Sequence, residues 1–221
     1  MAVISPDKLE APPWLYARLA RGPLFHWIYR RQVADLAAHL FPGTRLLDVG
    51  TGPGYLLDHL AAKRPDLQAF GLDLSFKMLY YGERQMAASR SRRPLSFLTA
   101  RVEALPFPNQ TFHQVLASLS LHHWTVPEIG LAEVFRILKP GGRAWIYEFS
   151  REVSPTALRR FSREDGLPFF LVYLAYLSLK WGHSLGFADF ARLFAKAGIT
   201  HWQVSPVHHL FWRAEFWKPE K

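Results

Sequence analysis

The chain has 221 residues, of which 49% are hydrophobic and 20% charged, and it contains no cysteine, which excludes disulfides, a thiol nucleophile and cysteine metal sites. This length and composition predict one globular domain, residues 1–221, with enough chain for a sizeable core. The formal net charge of +9 allows acidic partners, but the densest basic clusters do not alternate with aromatic residues, so a solvated basic surface is favoured over a nucleic-acid site; these clusters are Arg30-Arg31 and Arg90, Arg92 and Arg93.

Residues 1–42 are predicted to form an N-terminal helical cap. Residues 1–13 carry Asp7, Glu10 and three prolines without an apolar stretch, so they do not resemble a secretory signal, and a cytoplasmic location is expected. Apolar residues recur at three- and four-residue steps over 14–40, and Gly22-Pro23 divides this segment into two helices.

A glycine-rich turn follows the first predicted strand. Residues 46–54 read Leu-Leu-Asp-Val-Gly-Thr-Gly-Pro-Gly, a buried strand that ends in a sharp turn into the next helix. The backbone N–H groups at the helix start are expected to face a ligand over the glycines. Tyr55 stands where the dinucleotide fingerprint needs its third glycine, and no Gly-Lys-Ser/Thr follows, so neither a dinucleotide motif nor a P-loop is present. A glycine-rich turn without a ligand is the alternative.

The second predicted strand, 66–72, ends at Asp73. This acid lies 19 residues (73 − 54) after Gly54, close to the offset of about 20 residues at which a carboxylate reaches a nucleoside ribose. Its two oxygens could accept from both ribose hydroxyls. Ser75 could instead, or as well, cap the following helix.

Two histidines follow the fourth predicted strand, 112–118. In an extended segment the adjacent His122 and His123 would point in opposite directions, so one is expected to pack while the other could be a general base. A metal site is disfavoured, because no carboxylate cluster and no histidine four residues away accompanies the pair. The third and fifth strands are predicted at 95–99 and 144–149, with a helix at 129–138 between the fourth and the fifth.

Beyond residue 150 the chain contains a strongly apolar segment. Residues 167–179 are rich in aromatics but too short to span a bilayer, so no transmembrane segment is predicted. The segment favours a peripheral contact with a membrane surface, and a core helix or a dimer contact is the alternative. A helix at 186–197 and a hairpin of 200–207 with 209–217 close the chain. The alternation of strands and helices predicts an α/β fold with a doubly wound sheet.

Taken together, these motifs resemble the class I S-adenosylmethionine-dependent methyltransferases, in particular those of ubiquinone and menaquinone biosynthesis, over about residues 45–199. The resemblance rests on five short stretches, which are Asp48-x-Gly-x-Gly-x-Gly, Asp73-Leu74-Ser75 with Met78-Leu79, Glu103-Ala104-Leu105-Pro106-Phe107, Leu121-His122-His123 and Arg136-x-Leu138-Lys139-Pro140-Gly141-Gly142. It implies a Rossmann-like sheet of seven strands with the last strand antiparallel. Residues 43–150 would then be the cofactor-binding half, 151–185 an insertion that shapes the acceptor pocket, and 186–221 the closing helix and hairpin.

The resemblance also implies the ligands and the site. S-adenosylmethionine would be the cofactor and S-adenosylhomocysteine the product of in-line methyl transfer, with His122 or His123 as the catalytic base and no metal. The expected cofactor-binding residues are Asp48, Gly50, Thr51, Gly52, Gly54, Asp73, Leu74, Met78, Val102, Glu103, Ser118 and Leu119. The N-terminal helices could bring Tyr16, Trp27 and Tyr29 to the pocket, and aromatic packing under these helices is the alternative. Tyr147 and Glu148 would border the pocket.

The acceptor is expected to be small and apolar, lipid-like or quinone-like. The chain lacks the Asn/Asp-Pro-Pro-Tyr/Phe motif of nucleic-acid amine methyltransferases, and pyrimidine carbon methylation needs a cysteine. Arg101 stands where the family usually has the aspartate that accepts from the adenine amine, so another acceptor replaces it or cofactor affinity is reduced. An RNA methyltransferase and a non-catalytic binding protein with the same fold are the alternatives.

Overall fold

The computed structural model describes residues 12–88, 95–180 and 183–220. The basic residues Arg90, Arg92 and Arg93 and the first eleven residues lie outside this part of the chain. The helices are α1 (Pro13–Leu19), α2 (Pro23–Ala37), α3 (Tyr55–Lys63), α4 (Phe76–Ala88), α5 (Pro127–Ile137), α6 (Pro155–Glu164), α7 (Phe169–Lys180) and α8 (Phe187–Lys196). The strands are β1 (Arg45–Val49), β2 (Gln68–Asp73), β3 (Leu95–Thr99), β4 (Phe112–Ser118), β5 (Leu138–Ser150), β6 (Ser184–Leu185), β7 (Trp202–Val207) and β8 (Phe211–Trp217).

The strands form one sheet in the order β3-β2-β1-β4-β5-β8-β7. β1 to β5 are parallel, and β8 lies antiparallel between β5 and β7. The predicted seven-stranded sheet with an antiparallel last strand is therefore confirmed. The two-residue β6, parallel to β5 through Phe149 and Ser184, was not predicted, because two residues are too few to show a periodic pattern.

Helices cover both faces of the sheet, which confirms the doubly wound arrangement. Leu46 and Leu47 are adjacent on β1 and both fully buried, yet they belong to different hydrophobic clusters, because successive side chains of a strand point to opposite faces. Leu47 packs with residues of α5 and α8, whereas Leu46 packs with residues of α2 and α3. The carboxyl ends of β1, β2 and β4 thus meet at one edge of the sheet, where α/β folds place ligands.

The insertion after β5 folds back onto the N-terminal helices. Trp27 of α2 makes an edge-to-face contact with Phe161 of α6 at 4.9 Å between ring centroids, and its indole N–H donates to Asp165. Arg31 forms an ion pair of 3.1 Å with the same carboxylate. The expectation that Trp27 lines the pocket is therefore wrong, because α6, which the sequence pattern did not predict, provides a packing partner for it.

The next helix of the insertion, α7, exposes apolar side chains. Phe170 and Leu174 are 62% and 59% exposed. Within the described residues, no helix has the length and hydropathy that crossing a bilayer requires.

Candidate functional site

The turn between β1 and α3 depends on glycine. Gly50 and Gly52 have φ angles of +70° and +55°, in the left-handed region that side chains disfavour. A Cβ on Gly50 would also lie 2.4 Å from the Cβ of Ser120, which follows β4. The hydroxyl of Ser120 donates to the carbonyl of Val49 at 2.9 Å. The glycines therefore let β1 and the end of β4 approach at bare backbone.

The N–H groups of this turn are already engaged within the protein. Those of Gly50 and Thr51 donate to the carbonyl of Leu72, that of Gly54 donates to Thr51, and that of Gly52 donates to the carboxylate of Asp73 at 2.8 Å. The expectation that free N–H groups of the turn face the ligand is corrected for these four residues, since β2 and the turn itself use them. An anion bound here would find few donors, so the turn is not a phosphate cradle.

Asp73 lies at the end of β2 and fixes the turn. One oxygen accepts from Gly52 and the other accepts from the N–H of Ser75 at 2.8 Å. Burial raises the pKa of Asp73, and these two hydrogen bonds partly oppose the shift. The carboxylate is part of the cavity wall, and each of its oxygens keeps a lone pair for a further donor.

Asp48 is a buried acid with one unused oxygen. The residue is 2% exposed, and one of its oxygens accepts from the hydroxyl of Thr51 at 2.7 Å. The other oxygen, Oδ1, has no hydrogen-bond partner among the described residues. Desolvation, reinforced by the charge of Asp73, raises the pKa of Asp48 to about 7. A buried carboxylate with an unsatisfied oxygen at a cavity wall is suited to a cationic donor.

Asp48→Asn is expected to stabilise the ligand-free protein at alkaline pH. The pKa of Asp48 is about 7 in the folded protein against 3.8 for an unperturbed group. The stability that this group contributes is therefore complete below about pH 4 and is lost as the pH rises through about 7. At about 1.4 kcal/mol per pH unit, the upper bound of the loss is about 4 kcal/mol.

Urea unfolding from about pH 4 to pH 8 measures this difference. The side-chain carbonyl of the variant can still accept from Thr51. Its free energy of unfolding should therefore rise relative to that of the wild type as the pH rises. A constant difference across this range would contradict the raised pKa of Asp48.

The predicted site residues surround one cavity of about 660 Å³, within the range of small-molecule sites. Every expected cofactor-binding residue except Gly54 lies in its wall, together with His122 and His123. Gly54 instead precedes α3 with a φ of +75° and shapes the turn. Tyr16 and Tyr29 also reach the cavity, as expected, and burial raises the pKa of Tyr29. Ser118 is in the wall as well, and its hydroxyl donates to Gln32 at 2.9 Å.

One end of the cavity has an apolar rim. Leu74, directly after Asp73, is 61% exposed, and Met78 and Val102 lie in the same wall. Glu103 accepts from the N–H of Val126 at 3.1 Å and lies 3.5 Å from the guanidinium of Arg101. In the family an aspartate at this position usually accepts from the adenine amine. Arg101 does not take that role, but pairs with Glu103 and donates to Thr125.

Histidines also line the cavity, in the segment that follows β4. Leu119 has a φ of +54°, which ends β4 and leads into a 3-10 turn over Leu121–His123. In this turn the rings of His122 and His123 lie 4.0 Å apart and both line the cavity. The expectation that the two rings diverge is wrong, because it assumed an extended backbone.

His122 is held by a carboxylate from the neighbouring strand. Its Nδ1 lies 2.7 Å from Glu148 Oε2 in β5, and both residues are buried. Its Nε2 lies 3.2 Å from Nδ1 of His183, which precedes β6. Glu148 supports the site from behind His122, whereas Tyr147 donates to Asp35 on the other face of the sheet. Both had been expected to border the cavity, and neither contributes to the wall of the cavity.

Sequence reasoning missed Ser120, Phe25 and His183 as parts of this site. The sequence could have pointed to Ser120 as a cavity residue, since it stands in the stretch after β4 that contains the two histidines. Phe25 and His183 stand 97 and 61 residues from His122 in the chain (122 − 25 and 183 − 122), where no local pattern points to the cavity. Among the described residues of 151–185, His183 alone lines the cavity, so the expectation that the aromatic residues of this segment shape the pocket is not met by those of α7 that the structure describes.

Comparison with known proteins agrees with this architecture. Residues 47–146 match the family model described as a methyltransferase domain. The chain is 37% identical over 121 residues to a ubiquinone/menaquinone biosynthesis C-methyltransferase, UbiE, of Geobacter sulfurreducens, which covers 54% of this chain and 47% of that protein. It is 35% identical over 163 residues to a demethylmenaquinone methyltransferase of Symbiobacterium thermophilum, covering 73% of this chain and 60% of that protein. The chain thus spans about half the length of the curated relatives that it matches.

Among solved structures, a SAM-dependent methyltransferase from Aquifex aeolicus superposes with a TM-score of 0.70 at 17% identity, covering 94% of this chain and 98% of that one. This likeness concerns the fold. Together with the matched family and the glycine turn, it confirms the resemblance seen in the sequence. Residues 47–146 thus match a methyltransferase domain, in a chain with the fold of the S-adenosylmethionine-dependent methyltransferases.

Proposed function

We propose that this chain transfers the methyl group of S-adenosylmethionine to a small apolar acceptor of the quinone or lipid type. The observation that carries the proposal is the charge pattern of the glycine turn. Its N–H groups are used within the protein, while Asp48 and Asp73 present carboxylates to the cavity. Such a turn suits a nucleoside with a positively charged tail better than a pyrophosphate.

The residues present fit this cofactor. The unpaired oxygen of Asp48 can accept from an ammonium group, and Asp73 can accept from ribose hydroxyls. The exposed Leu74 and the neighbouring Met78 offer an apolar surface that a purine ring would cover. When bound, the cofactor supplies an activated methyl group on a sulfonium.

The protein's own contribution is alignment and proton removal. The cavity orients the acceptor, and the apolar wall excludes water. His122 is the proposed proton acceptor. Glu148 faces its Nδ1 and keeps the proton there, so Nε2, which contacts Nδ1 of His183, is the nitrogen that takes a proton once the acceptor displaces His183. The tautomer follows from this contact with the carboxylate.

An apolar acceptor is supported by two observations. The curated relatives are named for ubiquinone and menaquinone biosynthesis, and the apolar face of α7 suits contact with a membrane in which such an acceptor dissolves. An exposed arginine accompanies this face, since the guanidinium of Arg159 lies over the ring of Phe169. It favours an anionic membrane surface.

Transfer of a labelled methyl group tests the proposal. With S-adenosylmethionine and a demethylated quinone in vesicles of anionic lipid, we expect labelled quinone, formed faster than in neutral vesicles. A labelled bulk RNA and an unlabelled quinone would favour the RNA alternative. Binding of S-adenosylhomocysteine without transfer to any tested acceptor would favour a non-catalytic binding protein.

A further inference from the structure

We propose that His122, His123 and His183 form a zinc site at the acceptor end of the cavity. One ligand nitrogen from each of the three residues lies within 4.8 Å of the others. His122 and His123 come from the turn after β4, and His183 comes from the segment before β6. Three imidazoles from two distant parts of the chain thus converge on one point of the cavity wall.

The distances suit tetrahedral coordination. Nε2 of His122 and Nδ1 of His183 lie 3.2 Å apart. Two nitrogens at about 2.0–2.1 Å from a tetrahedral zinc are separated by about 3.3 Å. His123 lies close to both of these residues, since its ring centroid is 4.0 Å from that of His122 and 5.7 Å from that of His183.

Glu148 provides the outer support that metal-binding histidines usually have. Its carboxylate lies 2.7 Å from Nδ1 of His122 and is fully buried. Such a contact fixes the tautomer of the imidazole and directs Nε2 towards the ion. The contact between Nδ1 of His122 and Glu148 would therefore orient His122 in the same way for either role, as a base or as a metal ligand.

The donor set points to zinc and to an open site. Neutral imidazoles suit zinc and similar divalent ions, and three protein ligands leave a fourth position for an exogenous group. This position would face the cavity. If the proposed methyl transfer holds, it can take the oxygen of a hydroxylated acceptor, whose proton passes to solvent while the ion stabilises the oxygen anion. In that state His122 Nε2 is a ligand and the ion replaces it in activating the acceptor.

The sequence disfavoured a metal because His122 and His123 lack a histidine four residues away. The third ligand instead comes from position 183, through the fold of the insertion. The lack of a third histidine nearby in the sequence is therefore no argument against a metal site in the folded protein.

Metal analysis of the tag-free full chain tests the site. The protein is equilibrated with Zn²⁺, dialysed against metal-free buffer and analysed for bound zinc, and Co²⁺ is added in parallel to record the visible absorption of four-coordinate cobalt. We expect one zinc per chain in the wild type and an affinity at least tenfold lower in His183→Ala and in the more exposed His123→Ala. Thermal unfolding shows that each variant folds.

His26→Ala is the matched control. His26 and His59 form another histidine contact, 3.1 Å between Nδ1 and Nε2, and the described part of the chain groups no third ligand with them. This variant should keep the zinc. A wild type that holds zinc no more tightly than His183→Ala would overturn the proposal and leave a hydrogen bond between two rings.

Calorimetry with S-adenosylhomocysteine separates the two proposals. A wild type that binds S-adenosylhomocysteine but no zinc refutes the metal site alone. A wild type that binds zinc but no S-adenosylhomocysteine refutes the proposed function alone.

Discussion

Asp73→Ala is expected to lower the affinity for S-adenosylhomocysteine by about a hundredfold or more. Hydrogen bonds to a charged group contribute about 1.5–3 kcal/mol each, and the variant loses two of them with the ribose. It also leaves the N–H groups of Gly52 and Ser75 without their carboxylate. Isothermal titration calorimetry measures the affinity. Asp66→Ala, which removes a surface acid paired with Arg64, is the control and should bind like the wild type.

A cofactor analogue separates contact with the ribose from support of the turn. S-adenosylhomocysteine without its 2′-hydroxyl should bind the wild type more weakly than the parent compound does. In Asp73→Ala the two compounds should bind equally, because the partner of the hydroxyl is gone. An undiminished preference for the hydroxyl in the variant would refute the ribose assignment.

His122→Ala is expected to lower kcat for methyl transfer by about 10²- to 10⁴-fold, the usual contribution of a positioned base. Binding of S-adenosylhomocysteine should change little, because the proposed contacts with the cofactor are made by Asp48, Asp73 and Leu74 and not by His122. With a chelator present, added imidazole should restore part of the activity if the ring is the proton acceptor. Full activity of His122→Ala would exclude it as the base.

Glu148→Gln tests the positioning of this ring. Glutamine can still accept from Nδ1–H but carries no charge, so kcat should fall while KM for S-adenosylmethionine stays the same. His201→Ala, an exposed histidine beside Thr200, is the control and should keep both constants. A rise in KM with unchanged kcat would instead assign Glu148 a purely structural role.

Local patterns predicted that the glycine turn and Asp73 meet at one cavity. The glycine turn, Asp48 and Asp73 follow directly from β1 and β2, and the carboxyl ends of parallel strands meet wherever such a sheet forms. What the pattern did not show is how the turn satisfies its own N–H groups, because their acceptors at Leu72 and Asp73 belong to a neighbouring strand.

The acceptor end was predicted less well because it depends on contacts that are distant in sequence. The positions of His122 and His123 were found, but their directions depend on a 3-10 turn with Leu119 in the left-handed region. For Trp27 the sequence left the cavity and packing under the helices open, because nothing in it shows that Phe161 and Asp165 pack against this ring. A single histidine at 183 carries no local signal at all.

The position of β8 has a consequence for synthesis. This strand comes last in the described chain, yet it lies inside the sheet and pairs with β5 at every residue from Arg143 to Phe149. While the nascent chain emerges from the ribosome, that edge of β5 stays open until residues 211–217 are made. The domain must therefore complete its fold after translation of its final strand, and a chaperone that shields unpaired strand edges would raise its yield.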